Sequence, residues 1–453
     1  MTAIDRQWAD NHLALLDEAV PQQVSAVIGL LVADTLAIAS HARRHGVGGT
    51  LADRALVEAV STGCSVWGAD FRATPADAAF LNGCAAEALD FQEVLINPRN
   101  NGHAAVVIVP TLLALAEQRG IGGERLLKAL WIAFAANISL AEALGRAHRS
   151  GQAGFRTTSL LAPIAASLGA AALISDDRDL AMHAAAITAT TLSAGLLSAL
   201  SPAVGSYSLD KDLAIGFAAR NALQSVQLAE AGASGPQTPL TGEHGWLASF
   251  GFDSSQPERL LADPRECDLS AYAIKAYPAC FGCQSAIRAA LDLLEEVDPA
   301  QITRVRVEVN QGSASSLSTR VIGNHLAARF SLPYAVASAF VRRRSVLADF
   351  EQEALDDPAV LAFMARVEVC ASGKLTAQQQ ATGGFPAVLT VYAGETEIAR
   401  VSRSGPLDGL DGAARHGLFQ RKLEQLCEAP VRERLLDLAA APWHIEQLFQ
   451  APL

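Results

Sequence analysis

Near residue 267 the rhythm of the chain changes, and this limits the fold more than any other feature. From Pro21 to Gly245 the pattern is helical. Val24, Val27, Ile28, Leu31, Thr35 and Ile38 fall on one stripe, and 104–119, 124–144, 159–173, 178–200 and 211–231 read the same way. Glycine and proline punctuate these segments, as at Gly120, Gly151 and Pro202, and none alternates as a strand does. Beyond 267, "ITRVRVEVN" (302–310) sets Val305, Val307 and Val309 against Arg304, Arg306 and Glu308. "RVEVCAS" (366–372) and "AVLTVYAGETEIARVS" (387–402) alternate too, the latter with a hairpin break at Gly394. Helical runs at 284–297 and 332–343 lie between them, and the helical period returns after Pro406. The chain therefore reads as mostly α with a smaller α+β domain. A large all-helical domain (1–266 and 403–453) is interrupted by an α+β domain (267–402), and the last helices pack back on the first. A length of 453 residues exceeds what one core holds, and ligands favour the junction between two such units.

Composition then removes several classes of function. The net charge is −12 and no Lys/Arg-rich stripe exists to neutralise phosphates, so no nucleic-acid partner is expected. Residues 157–175 and 184–209 carry no charged side chain. They are built from Ala, Gly, Ser and Thr and lack a flanking basic cluster or aromatic belt, so they read as packed internal helices and no membrane partner is expected. The N-terminus shows no basic-then-apolar leader and the seven cysteines are scattered, from which we expect a cytoplasmic protein with reduced thiols. Cys280 and Cys283 form a lone C-x-x-C without a second pair or a nearby His, so no metal is expected. "GIGGER" (120–125) lacks the preceding strand of a dinucleotide fingerprint, and its glycines read as a helix opening.

Four short segments carry groups fit for chemistry. In "LDFQEVLINPRNNGHAAVVIVP" (89–110), Asp90 and Glu93 precede His103 at a helix start, where partly positive N–H groups lower an imidazole pKa. His103 is there either as a base oriented by Asp90 or as a simple cap. "GQAGFRTTSLLAP" (151–163) offers Arg156 and Thr157 at another helix start, suited to a carboxylate or to capping alone. Lys211 in "SLDKDLAIGFAARNA" opens a helix of small residues, flanked by Asp210 and Asp212, so a surface ion pair is the competing reading. Lys275 and Cys280 in "IKAYPACFGCQSAI" stand where the α+β domain begins. Only five residues are lysines, so Lys211 and Lys275 in these settings draw attention.

Along about residues 20 to 405 these segments, in order, resemble the MmgE/PrpD family, which includes 2-methylcitrate dehydratase, cis-aconitate decarboxylase and iminodisuccinate epimerase. "LDFQE" and "GHAAVVIVPTLLALAE" correspond to the family's "LDFDD" and "vvvPaalALAE", and "GFRTTS" to "GFHxTS". "KDLAIGFAA", "KAYP" and "AARFSLPY" correspond to its lysine–histidine, K-x-(F/Y)-P and A-x-FS-x-x-Y segments. The resemblance implies a helical domain with an α+β lid, a homodimer, no cofactor, and a cleft lined by Asp90, His103, Lys211, Lys275 and Tyr334. This chain departs from the pattern at Arg156 and Ala214, where histidines are usual. It departs again at Cys280, histidine in the decarboxylase, and at Gln92, one acid of the acidic pair.

The relatives share proton movement at a carbon next to a carboxylate. The expectation is that Arg156, Lys211 and Lys275 clamp a small di- or tricarboxylate, with Thr157 and Cys280 lining the pocket. His103, oriented by Asp90, moves the proton, and Tyr334 delivers one to the departing group or the opposite face. A lyase, either dehydratase or decarboxylase, is the first reading. An epimerase of a dicarboxylate such as iminodisuccinate is the second, and a non-catalytic carboxylate-binding homodimer the third.

Overall fold

A computed structural model describes residues 3–47, 53, 60–145, 154–197, 207–208, 210–252, 255–405, 407–410 and 412–449. Gly151, Pro202 and most of 198–209 lie outside the described residues. The protein is mostly helical with a smaller α+β part. Its first half holds α1 (Ala3–Leu13), α2 (Gln22–Arg44), α3 (Pro75–Glu87), α4 (Ala105–Arg119), α5 (Gly123–Leu144), α6 (Thr157–Ile174), α7 (Arg178–Thr190) and α8 (Asp210–Glu230). Local chemistry sets several of these ends. Thr74 accepts from the Asp77 N–H to cap α3, whose first residue is Pro75, and Gly120 closes α4 in the left-handed region at φ 64. α7 stops short of the expected residue 200, because the Thr188, Thr190 and Thr191 hydroxyls bond back to carbonyls of the preceding turn and loosen its end.

α2, α5 and α6 are each long and apolar enough to cross a membrane, yet 78%, 83% and 89% of their most apolar stretches are buried inside the protein. Packing accounts for their composition. One contact is decisive for the site. Gly216 of α8 lies so close to α3 that a β-carbon there would collide with Cys84 Sγ and sit 2.6 Å from the Phe80 carbonyl oxygen. Only glycine allows that approach, which brings the first turn of α8 beside the last turn of α3.

The α+β part contains α9 (Phe281–Leu293), β1 (Arg304–Val309), α10 (Leu332–Arg342), β2 (Val367–Ala371), β3 (Ala387–Ala393) and β4 (Thr396–Arg403). The sheet order is β2-β1-β3-β4, with β1 and β2 parallel and the other pairs antiparallel. Val305, Val307 and Val309 face the core, as the alternation predicts, and Gly394 at φ 60 turns the β3–β4 hairpin. The closing helices, α11 (Gly412–Leu426) and α12 (Ala429–Ala440), return to α2. There Lys422 pairs with Asp34 at 2.6 Å and donates to the Phe91 carbonyl at 2.6 Å, both charges being buried.

Apolar packing divides between Ala276 and Tyr277. Val94–Leu95 pairs antiparallel with Tyr272–Ala273 just ahead of that join, a ladder too short to leave a period in the sequence. Gly383, at φ 74, presses against the Asn97 backbone, and its carbonyl accepts from Asn101 Nδ2 at 3.0 Å. The loop ahead of α4 is thus gripped from both parts of the molecule.

Candidate active site

Glu87, the last residue of α3, is fully buried and is the centre of an ion cluster. Its Oε1 lies 2.5 Å from Arg156 Nη2 and 2.7 Å from Lys211 Nζ, and its Oε2 accepts from Gln92 Nε2 at 2.7 Å. Burial pushes a carboxyl pKa up, but Lys211 and Arg156 outweigh it and hold Glu87 well below the carboxylate range. Lys211 also donates to the Glu87 carbonyl at 3.1 Å and lies 3.3 Å from Asp90 Oδ2 and 3.7 Å from Asp212 Oδ1. Burial lowers the Lys211 pKa, yet Asp90, Glu87 and Asp212 together keep it above its ordinary value. Asp212 itself is pushed up to about 7 by burial, against the pull of Lys211.

Asp90 adopts φ 50, a left-handed conformation rare outside glycine. Lys275 holds it there: its Nζ donates to the Asp90 carbonyl at 2.8 Å and stands 3.5 Å from Oδ1. The Asp90 carboxylate therefore bridges two buried lysines. This corrects the surface-pair reading of Lys211, whose side chain is buried.

His103 has a defined tautomer. Its Nδ1 lies 2.5 Å from the Glu93 carbonyl oxygen, which can only accept, so Nδ1 carries the hydrogen and Nε2 the lone pair. Glu93, not Asp90, orients the ring, which corrects the expected Asp90–His103 pairing. Burial and the nearby Lys275 charge lower the His103 pKa to about 4, so the imidazole is neutral at pH 7. The Glu93 side chain caps α4 by accepting from the Ala105 N–H at 2.7 Å, and burial pushes its pKa up to about 8.

The "GFRTTS" segment frames this arrangement. Arg156 gives Nη1 to the Lys211 carbonyl at 2.6 Å and Nη2 to Glu87, while Thr157 donates to the Asn101 carbonyl at 2.6 Å. Thr158 Oγ1 accepts from the His103 N–H at 3.1 Å. The Thr157 hydroxyl and two of the Arg156 donors assigned to substrate are thus committed to protein acceptors, and both residues position Lys211, Glu87 and the His103 loop. Cys280 sits at the N-cap of α9, half-buried, and burial raises its thiol pKa although Lys275 pulls it down. Among the described residues no group of three His, Cys, Asp or Glu side chains is placed to hold a metal.

Tyr334 is a correction. Ser331 caps α10 at the Tyr334 N–H, and the side chain turns into the core of the α+β part. Its hydroxyl lies 2.8 Å from the Asp349 carbonyl and 3.2 Å from that of Ala354, away from the ion cluster. Arg342 also serves both carbonyls, so Tyr334→Phe will cost about 1 kcal/mol in urea unfolding and leave turnover within twofold of wild type.

Two family models match the chain: the MmgE/PrpD N-terminal domain over residues 9–258 and the MmgE/PrpD C-terminal domain over 277–440. The chain belongs to the MmgE/PrpD family. A search of curated proteins returned no match. MmgE/PrpD proteins are a family of dehydratases and related enzymes. Lys275 lies between the two matched stretches, and the MmgE/PrpD C-terminal match runs on through α11 and α12, which pack on the helical body.

Sequence reasoning missed several residues of this MmgE/PrpD site. Glu87 is hidden in "CAAEALD", where nothing local marks it as a counterion. Arg329, in "AARFSLPY", is buried, with Nη2 3.1 Å from Glu351 Oε1 and Nη1 3.5 Å from the Ala88 carbonyl. A lone arginine inside an apolar run was the available signal. His325, one turn earlier, has its pKa lowered to about 4 by burial and then by Arg329.

Proposed function

We propose that this MmgE/PrpD protein is a lyase that moves a proton at the carbon α to a carboxylate in a small di- or tricarboxylate. The observation that carries the reading is His103. It is a neutral imidazole with Nδ1–H fixed on a backbone carbonyl, leaving Nε2 as a base next to the Lys275–Asp90–Lys211–Glu87–Arg156 cluster.

In that cluster three cations face the carboxylates of Glu87 and Asp90, and a third acid, Asp212, lies 3.7 Å from Lys211 with its pKa pushed up to about 7. With Asp212 protonated, the excess of positive charge favours a bound carboxylate and the negative charge that develops on its oxygens once the α proton leaves. Preorganisation matters here. Because Glu87 and Asp90 already fix the ammonium groups, little reorganisation is required at the moment of reaction. His103 Nε2 takes the proton, and its electron pair forms the double bond as the β substituent departs. The side chains perform these proton transfers themselves.

An epimerase is the second reading, motivated by Arg156 standing where the family pattern has histidine. In it, the carbon regains a proton on its other face and nothing departs. One experiment separates the readings: incubate a panel of di- and tricarboxylates with the protein in heavy water and follow them by proton NMR. A lyase gives unsaturated product. Deuterium in recovered substrate without unsaturated product supports the epimerase. Substrates that bind without exchange or product would sink both and leave a binding protein.

A further inference from the structure

With Tyr334 facing the wrong way, the site needs another donor, and Tyr207 has the required features. It is only 4% exposed, and its hydroxyl has no hydrogen-bond partner among the described residues. A buried hydroxyl without a partner is costly to the empty protein, and a bound ligand oxygen would satisfy it. Tyr207 lies four positions ahead of Lys211 in the chain, yet its ring packs in the core of the α+β part. The Phe330 ring centroid is 5.4 Å away, and Asn324 Nδ2 donates to the Tyr207 carbonyl at 3.1 Å. Tyr207 is thereby fastened to the Asn324–Phe330 turn, which also carries His325 and Arg329. His325 Nε2 and Arg329 Nε are likewise buried without partners. Three polar groups, one on the tyrosine and two on the segment it is bound to, are thus left unsatisfied close together.

We propose that the Tyr207 hydroxyl faces the substrate and is the second proton-handling group of the site, working with His103. The inference rests on the carboxylate reading above. Burial, and then the neighbouring Cys280, Cys283 and Asp90, push its pKa up to about 12, so it stays protonated and able to donate at neutral pH. In an elimination of water, His103 Nε2 removes the α proton and the C–H pair becomes the double bond. The C–O bond breaks, and the Tyr207 O–H protonates the leaving oxygen. Exchange with solvent removes a proton from His103 and returns one to Tyr207, which closes the balance. In an epimerisation the Tyr207 proton goes instead to the opposite face of the carbon.

The test is Tyr207→Phe in the full chain, with three readouts: thermal melting without ligand, affinity for propane-1,2,3-tricarboxylate and succinate by calorimetry, and turnover of the substrate found in the heavy-water screen. The expected result is a melting temperature no lower than wild type, affinity weakened about tenfold for one hydrogen bond, and turnover reduced by about 10²–10⁴-fold. Unchanged affinity and turnover overturn the proposal, as does a lower melting temperature with unchanged binding, which would reveal a structural hydroxyl. If the wild type binds neither carboxylate, the functional reading fails separately. The melting comparison then decides Tyr207: a variant at or above wild type supports a ligand-facing hydroxyl, and a lower value removes it.

Discussion

Replacing Glu87 with glutamine will destabilise the protein by about 3–5 kcal/mol and abolish turnover, because the change leaves Arg156 and Lys211 buried beside an uncharged amide. That loss is a large part of the roughly 5–15 kcal/mol by which a protein is stable, so the variant will unfold at markedly lower urea concentration. The pH dependence has a definite sign. Glu87 has a depressed pKa in the folded state, so its contribution is complete above the unfolded carboxylate range and is lost as pH falls through the lower folded value. The gap between wild type and Glu87→Gln will accordingly be full at pH 7 and narrow in acid. Adding Lys211→Met to Glu87→Gln removes one stranded cation and will recover part of the loss. A Glu87→Gln protein as stable as wild type at pH 7 would mean that this carboxylate does not hold the cluster together.

That same cluster shows where sequence reading succeeds and where it stops. The helices, the strands near Val305, Thr390 and Ile398, and the return of α11 and α12 were legible because periodicity is a local signal that burial imposes on each segment. His103, Asp90, Lys211 and Lys275 were legible as polar groups stranded at the edges of apolar segments, and the structure brings Asp90, Lys211 and Lys275 into direct contact. Pairing was not legible. Glu87 meets Arg156 and Lys211 only because Gly216 lets α8 press on α3, a tertiary contact that leaves no spacing in the chain. Lys211 looked like a surface partner for Asp210 and Asp212; it does lie 3.7 Å from Asp212 Oδ1, but its closer partners, Glu87 and Asp90, are neighbours in space that the chain order does not show.

Tyr334 failed for a different reason. The "AARFSLPY" motif carries its position, but the direction of its side chain is set by the Ser331 cap and by the Asp349 and Ala354 carbonyls. Tyr207, with no motif to mark it, is visible only as a hydroxyl that the fold leaves unmatched. Polar satisfaction is a three-dimensional property, and it separates Tyr334 from Tyr207 where sequence could not.

His103→Gln is the sharpest test of the proposed chemistry. Glutamine can still donate to the Glu93 carbonyl, so the loop ahead of α4 keeps that tie, but an amide cannot serve as a base. The expected outcome is a fall of about 10²–10⁴-fold in kcat/KM, with carboxylate affinity within a few-fold of wild type and an unchanged circular dichroism spectrum. His103→Ala will lose similar activity and somewhat more stability, having lost the bond as well. The wild-type pH profile supplies an independent check. Burial and Lys275 lower the folded-state pKa to about 4, so the base form will persist through pH 5 and its loss will give an acid limb near pH 4, not near 6.5. The same shift makes His103 favour folding above its unfolded pKa, an advantage lost as pH falls through about 4. Turnover that survives in His103→Gln, or an acid limb near 6.5 that this variant abolishes, would remove the neutral imidazole from the mechanism. Either result would shift the search for the base to the lysines that hold Asp90.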